Sequence, residues 1–332
     1  MKYKFLRHPQ WCVWVASALL LTACTKDESK PADINAHNGI AAVVNNNFSL
    51  SLFNYALGVT AYSDTLARTG SYTVLGPSND AFKTAGYATG GAIITAGSVM
   101  NALVPYHVLH GQIRLDSLPM AFNKPFYSAG GKVLFITRWA NARDTAVVVN
   151  GARVSTRDRA ASNGLINVID AVLVPSAYTD VQEAVSGDPD LSFFNAAIIR
   201  SGVAATLQTA GPYTVFAPVN AAFNAIGIAS VDSVYKMDPT KLEKLVKGHI
   251  AAEMNFVYDY ILKADVNANT YTQQMLGGTA TIVTLIPNST QPGRFSGINI
   301  QQSGLTAKAT LSKSNVLAGN GVVHNISQVL TQ

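Results

Sequence analysis

The chain repeats itself, and the repeat limits what it can fold into more than any other feature. Displacing the sequence by 141 residues lays Leu50–Phe82 on Leu191–Phe223 without a gap. Fifteen of the 33 positions are identical, where chance would give about two. The register then moves by one, so that Leu103, Val104 and His107 fall on Leu245, Val246 and His249. Near the end, Asn163-Gly164, Ile169 and Leu173 fall on Asn320-Gly321, Ile326 and Leu330, a displacement of 157. The second copy therefore carries about fifteen extra residues between His249 and Asn320. A chain of 332 residues is too long for one ordinary core and suits two domains of about 140 to 150 residues.

Local patterns give each copy both strands and helices. Tyr72–Leu75 and Tyr213–Phe216 are short β-prone runs stopped by Pro77 and Pro218, which have no N–H to give a central ladder. Asn79 and Asn220 suit helix N-caps, with Ala81-Phe82 and Ala222-Phe223 entering the helix. Leu52, Phe53, Ala56 and Leu57 have helical spacing, as do Leu242, Leu245, Val246 and His249. Lys132–Thr137, Thr145–Asn150, Thr279–Ile286 and Ser296–Gln301 read as strands, and Gly164 and Gly321 open a last apolar strand in each copy. With 48% hydrophobic and only 13% charged residues, most of the length is expected to be ordered.

Two blocks in each copy resemble the signatures of fasciclin-like (FAS1) domains. The first is Tyr72-Thr73-Val74-Leu75-Gly76-Pro77-Ser78-Asn79-Asp80-Ala81-Phe82 and its counterpart Tyr213–Phe223. The second is Asn163–Asp170 and its counterpart Asn320–Ser327, and Tyr106-His107 is similar to a Tyr-His pair that family members often carry between the two. The resemblance implies an α+β fold: two tandem FAS1 domains, each a twisted β-sandwich or wedge with packed helices. The domains are placed at residues 36–175 and 176–332. There are departures: Asn167 stands where the family usually has His, Gly248 replaces the Tyr before His249, and Ser327 replaces the acidic residue that Asp170 retains.

The N-terminus reads as an export signal over residues 1–23. Lys2, Lys4 and Arg7 precede an apolar stretch from Trp11 to Leu21, and that stretch falls short of the roughly 20 residues that span a bilayer. Leu21-Thr22-Ala23-Cys24 resembles the lipobox of bacterial lipoproteins, in which the Cys thiol takes a diacylglyceryl group; this implies lipidation of Cys24. Lys26-Asp27-Glu28 is similar to the export signal of surface lipoproteins in Bacteroidetes. Residues 24–35 would then be a lipidated Cys and polar tether, reaching up to ~35 Å. The expected location is the bacterial outer membrane, lipid-anchored and surface-exposed. Without its signal the chain retains Cys24 alone, so no disulfide within the chain is expected. Removing the signal also lowers the net charge from +5 to +2. No concentrated basic face remains for nucleic acid; Arg153, Arg157 and Arg159, interrupted by Asp158, read as a solvated strand edge.

Chemistry-bearing constellations are sparse. Nucleophile-elbow, zinc-protease, Walker and dinucleotide motifs are absent. His107 and His110, three apart, could share a helical face, but no carboxylate stands at ligand spacing and the resemblance implies a core position for His107. Asp180, Glu183, Asp188 and Asp190 read as a solvated loop between the copies. Catalytic residues, a metal site and a cofactor are therefore not expected. The candidates for ligand binding are aromatic. Trp139, flanked by Arg138 and Arg143 in an expected hairpin, could stack on a sugar ring or anchor a protein, or simply be a half-buried strand residue. In Phe256–Ile261 the alternation predicts a strand with Phe256, Tyr258 and Tyr260 on one face, which is either core or a ligand patch. The resemblance implies a cell-surface adhesion or interaction protein, not an enzyme, that meets a protein or matrix partner through its tandem domains. The alternative is a glycan-binding accessory lipoprotein of a polysaccharide uptake system.

Overall fold

The computed structural model describes Met1 and residues 37–330 apart from Pro292 and Leu305. The expected signal, Cys24 and the tether lie outside the described residues. Each copy builds a mixed sheet of seven strands with most of its helices on one side; in the second copy the Val257–Lys263 helix packs on the other. In the first copy the strands are β1 (Tyr72–Pro77), β2 (Val108–His110), β3 (Ala121–Tyr127), β4 (Val133–Ala140), β5 (Thr145–Val149), β6 (Ala152–Ala161) and β7 (Gly164–Ile169). Their order is β2-β1-β7-β6-β5-β4-β3. The second copy has β8 (Tyr213–Pro218), β9 (Ile250–Ala251), β10 (Thr270–Gln274), β11 (Ala280–Pro287), β12 (Phe295–Gln302), β13 (Ala309–Ala318) and β14 (Gly321–Ile326). Its order, β10-β11-β12-β13-β14-β8-β9, is the same topology read from the other edge. In each sheet one pair is parallel, β1 with β7 and β8 with β14. Of the strands read from the sequence all but Phe256–Ile261 are present, and so is the tandem α+β organisation.

The central strands separate two cores in each copy. Val74 faces the helices with Phe53, Leu57 and Val104, while Leu75, one residue on, faces the curled outer sheet with Leu134, Ile136 and Val147. In the second copy Val215 and Phe216 divide in the same way. Alternate residues of a strand point to opposite faces, so a strand buried on both reads as a nearly continuous apolar run, broken in β7 and β14 only by the hydrogen-bonded Asn167, His324 and Asn325. β7 and β14 are buried at all six positions. The helical runs read from sequence form Ser51–Gly58 and Pro239–Lys247, with Leu52, Phe53, Ala56 and Leu57 and then Leu242, Leu245 and Val246 buried.

Three local expectations are corrected. Asn79 and Asn220 are not N-caps. They occupy the first helical position, where Ser78 and Val219 are the caps, and their amides instead hold a neighbouring turn. Asn79 accepts from Leu52 N at 2.9 Å and donates to Phe48 O at 2.8 Å; Asn220 does the same with Phe193 N and Pro189 O, both at 3.0 Å. Phe256–Ile261 is not a strand, because residues Val257–Lys263 form a helix. Asp180 and Asp188 do not sit in a plain loop: they cap the Val181–Ser186 helix and the Pro189–Leu191 turn. The reading of Arg157 and Arg159 on a strand edge agrees with the structure, because β6 pairs with β5 only at Ala152 and Arg153 and, among the described residues, that side of the strand has no strand partner beyond them.

Candidate functional site at the domain interface

The polar residues that the two copies share are consumed by backbone. Asn163 accepts from Ile40 N at 2.8 Å and donates to Leu66 O and Arg68 O, both at 2.8 Å. Asn320 repeats this with Val181 N, Leu207 O and Thr209 O. Thr73 donates to Gly111 O and accepts from Ile113 N; Thr214 does so with Glu253 O and Asn255 N. His107 is fully enclosed. Its Nε2 accepts from Leu173 N at 2.9 Å, so Nδ1 carries the proton and donates to Leu103 O at 2.8 Å. His249 makes the matching pair with Leu330 N and Leu245 O. Burial pushes both imidazoles down to about 4, against the smaller upward pull of the backbone carbonyl. With both nitrogens occupied, neither ring has a lone pair for a metal, and His110 sits apart at the end of β2.

The departures between copies are also structural. Asp158 and Asn315 hold left-handed backbone, φ +51° and +60°, at matching bulges in β6 and β13. The Asp158 N–H is received by Asn167 Oδ1 at 2.8 Å and the Asn315 N–H by His324 Nδ1 at 3.2 Å. The residue that replaces His in the first copy therefore accepts the same bond. Each bulge residue then steadies the start of a turn or helix. Asp158 accepts from Leu115 N and Asp116 N, and Asn315 from Val257 N.

What the copies do not share builds the contact between them. Residues 37–330 belong to one compact unit, and the Val257–Lys263 helix of the second domain makes contacts with the first. Asp259 is wholly buried and is held from both domains. Its carboxylate accepts from Phe256 N at 2.8 Å in its own domain, and from Asn123 Nδ2 and Thr137 Oγ1 of the first domain, both at 2.9 Å. Burial raises its pKa, and these donors pull it back only in part. The other end of the helix is also finished by the first domain. Asn141 donates to Leu262 O at 2.8 Å, and Arg143 donates to Ala264 O at 3.0 Å, to Asp265 O and to Asn269 Oδ1. A helix C-terminus presents unpaired carbonyls and partial negative charge, so an arginine arriving from the β4–β5 turn meets both needs.

Apolar contact fills the space between these polar ends. Ala146 and Val148 of β5 pack with Leu262, and Phe122, Trp139 and Tyr258 join them. Phe122 and Trp139 lie 4.7 Å apart between ring centroids, and the Lys263 ammonium stands 4.9 Å over the Phe122 ring. Phe135 packs against Met254, Phe256, Leu317 and Val322.

The structure places the three aromatic candidates differently. Trp139 is half-buried in β4 against Phe122. Tyr260 is fully buried in the second-domain core, where its hydroxyl donates to Gln273 Oε1 at 3.0 Å. Tyr258 alone of the three lines an open cleft, of about 630 Å³, between the domains. The β4–β5 turn, Arg153 and Asp170 form one wall; the second wall is Tyr258, Ile261, Leu262 and the segment from Asn288 to Phe295. That segment connects β11 to β12 and is longer than its counterpart in the first copy, the β4–β5 turn. Arg153 and Arg294 meet on Asp144 Oδ2, at 2.6 and 2.9 Å. Burial works against the Asp144 charge, but the two guanidiniums hold its carboxyl below the ordinary value. Sequence reasoning missed Asp259, Asn123 and the capping role of Arg143; the one signal for them was the unequal length of the copies. Among the described residues, no three His, Cys, Asp or Glu side chains gather as a metal site, and no helix is long and apolar enough to cross a membrane.

Comparison with known proteins agrees with the repeat. Human periostin is 29% identical over 263 residues, covering 79% of this chain and 28% of periostin. The pig transforming growth factor-beta-induced protein ig-h3 is 26% identical over 265 residues, 79% of this chain and 35% of that protein. This chain thus spans about a third or less of these two relatives. Protein sll1483 of Synechocystis is 31% identical over 147 residues, 41% of this chain and 73% of that protein. Among solved structures, a FAS1 domain pair from the insect cell adhesion molecule fasciclin I covers 86% of this chain and 97% of its own, at 16% identity and a TM-score of 0.41. The sequence model of the Fasciclin domain matches twice, at residues 48–175 and 189–332. The chain belongs to the fasciclin domain family, and carries two such domains in tandem.

Proposed function

We propose that this protein is a lipid-anchored adhesion or interaction module, displayed on a bacterial outer membrane and meeting a protein or matrix partner through its paired fasciclin domains. Membership of the family in both halves is the observation that carries the reading; FAS1 domains occur in the insect adhesion molecule fasciclin I. The arrangement of polar groups supports binding over turnover. The histidines and amides common to both copies are occupied by backbone, leaving the interface and its cleft as the distinctive chemistry. The anchor reading rests on Leu21–Cys24, and surface display on Lys26-Asp27-Glu28.

The test is made in cells. Full-length protein should sediment with outer membranes, be cleaved by protease added to intact cells, and raise attachment of those cells to a coated matrix. Changing Cys24→Ser should release it and abolish attachment. Unchanged sedimentation of the Cys24→Ser protein would refute the anchor, and unchanged attachment after its release would refute the adhesive role.

A further inference from the structure

The interdomain cleft has a charge pattern that its own residues do not complete. Arg153 and Arg294 come from different domains, yet both direct a guanidinium to the single oxygen Asp144 Oδ2. Each guanidinium has five N–H donors in a planar fork, and each gives one to that oxygen. Arg153 Nε is shielded from solvent and has no hydrogen-bond partner. Arg143, the third guanidinium of the lining, is engaged by carbonyls and Asn269, with its face over the Phe295 ring at 5.3 Å. Two carboxylates, Asp144 and Asp170, stand against these three cations. Asp170 is partly engaged, since it accepts from the Arg153 backbone N–H at 2.7 Å.

We propose that this cleft binds an acidic saccharide, with the carboxylate of a uronic-acid unit received by Arg294 and Arg153. A guanidinium fork matches a carboxylate with two parallel charge-assisted bonds. Around it, the Asn288 and Gln291 amides and the Ser155 and Tyr258 hydroxyls line the same space, and such groups pair with sugar hydroxyls. The volume of about 630 Å³ lies within the roughly 300–1,000 Å³ of small-molecule sites. Both walls are needed: one guanidinium comes from β6, the other from the β11–β12 segment that the first copy has only in shorter form. The inference names a ligand class for the interaction module proposed above and rests on that reading for its setting. It is measured on protein without the anchor, so its failure leaves the display reading untouched.

The chain from residue 25 onward is titrated calorimetrically with a galacturonic-acid hexasaccharide, its fully methyl-esterified form and a hexapeptide of glutamate. Saturable binding of the acid sugar is expected, weakened by salt, absent for the ester and at least about tenfold weaker for Arg294→Gln and for Gln291→Ala. Both side chains are exposed and the fold should survive their change; an unaltered melting temperature verifies this. No saturation by about 10 mM sugar, equal binding of the ester, or full affinity in both variants would overturn the proposal. Tighter binding of the glutamate peptide would overturn the saccharide assignment.

Discussion

Asn163 and Asn320 are single side chains that each hold three backbone groups from separate segments. Replacing either by Ala leaves one donor and two acceptors without partners, and should cost about 2–4 kcal/mol in urea unfolding. A loss within 0.5 kcal/mol, the usual effect of a surface change, would contradict the role. The histidines set a pH dependence. His107, His249 and His324 all sit at about 4 when folded, through burial, against an ordinary 6.5. Above pH 6.5 they are neutral in both states and contribute no slope. As pH falls from 6.5 to 4 the unfolded chain takes up protons that the folded one refuses, so stability is lost, by up to about 3 kcal/mol per ring. Asp259 opposes this: its folded pKa is raised, so protonation on acidification favours the folded state. Three rings outweigh one carboxyl, and net acid destabilisation is expected. His324→Asn, the residue the first copy uses at Asn167, should keep the fold and shallow that slope. A slope unchanged by this substitution would show that His324 is not part of it.

At the scale of elements, the Val257–Lys263 helix shows what the sequence could and could not tell. Strands β4, β5, β11 and β12 were legible because β-branched runs between turn residues leave few alternatives. The helix was not. Phe256, Tyr258 and Tyr260 alternate as a strand would, and seven residues are too few for a helical period to assert itself. Its ends are completed by residues distant in sequence: Asn315 58 residues away, and Asn123 and Arg143 more than 110 away. No local window contains them. Of the site candidates, Tyr258 reached the cleft; Tyr260, two residues on, turned into the core because helical neighbours at that spacing point apart. Arg143→Ala removes the cap from the helix C-terminus, so amide exchange of residues 257–263 should accelerate roughly tenfold or more, with the first domain unaffected. Equal protection in the variant would mean that the helix is stable without its partner domain.

The whole molecule is two copies of one fold joined by what they do not have in common. Shared signatures maintain each sheet, while the longer second copy supplies the docking helix and one wall of the cleft. A flexible pair of beads would let each domain bind by itself; a docked pair presents one composite surface. Because Asp259 is buried between the domains and accepts from Asn123 and Thr137 of the first, separation breaks these charge-assisted bonds and uncovers the apolar contacts around them, so the pair is more stable than its parts. Residues 176–332 alone should still fold cooperatively, since the second copy has both of its cores, but at a lower temperature than in the pair.

Coupling between the domains is therefore the claim to test first, by scanning calorimetry of the chain from residue 25 beside its Asn123→Ala, Arg143→Ala double variant. The wild type is predicted to unfold in one transition, with calorimetric and van't Hoff enthalpies equal for the whole chain. The variant is predicted to separate into two, the second domain melting earlier. Two independent transitions in the wild type, unmoved by the substitutions, would contradict the account.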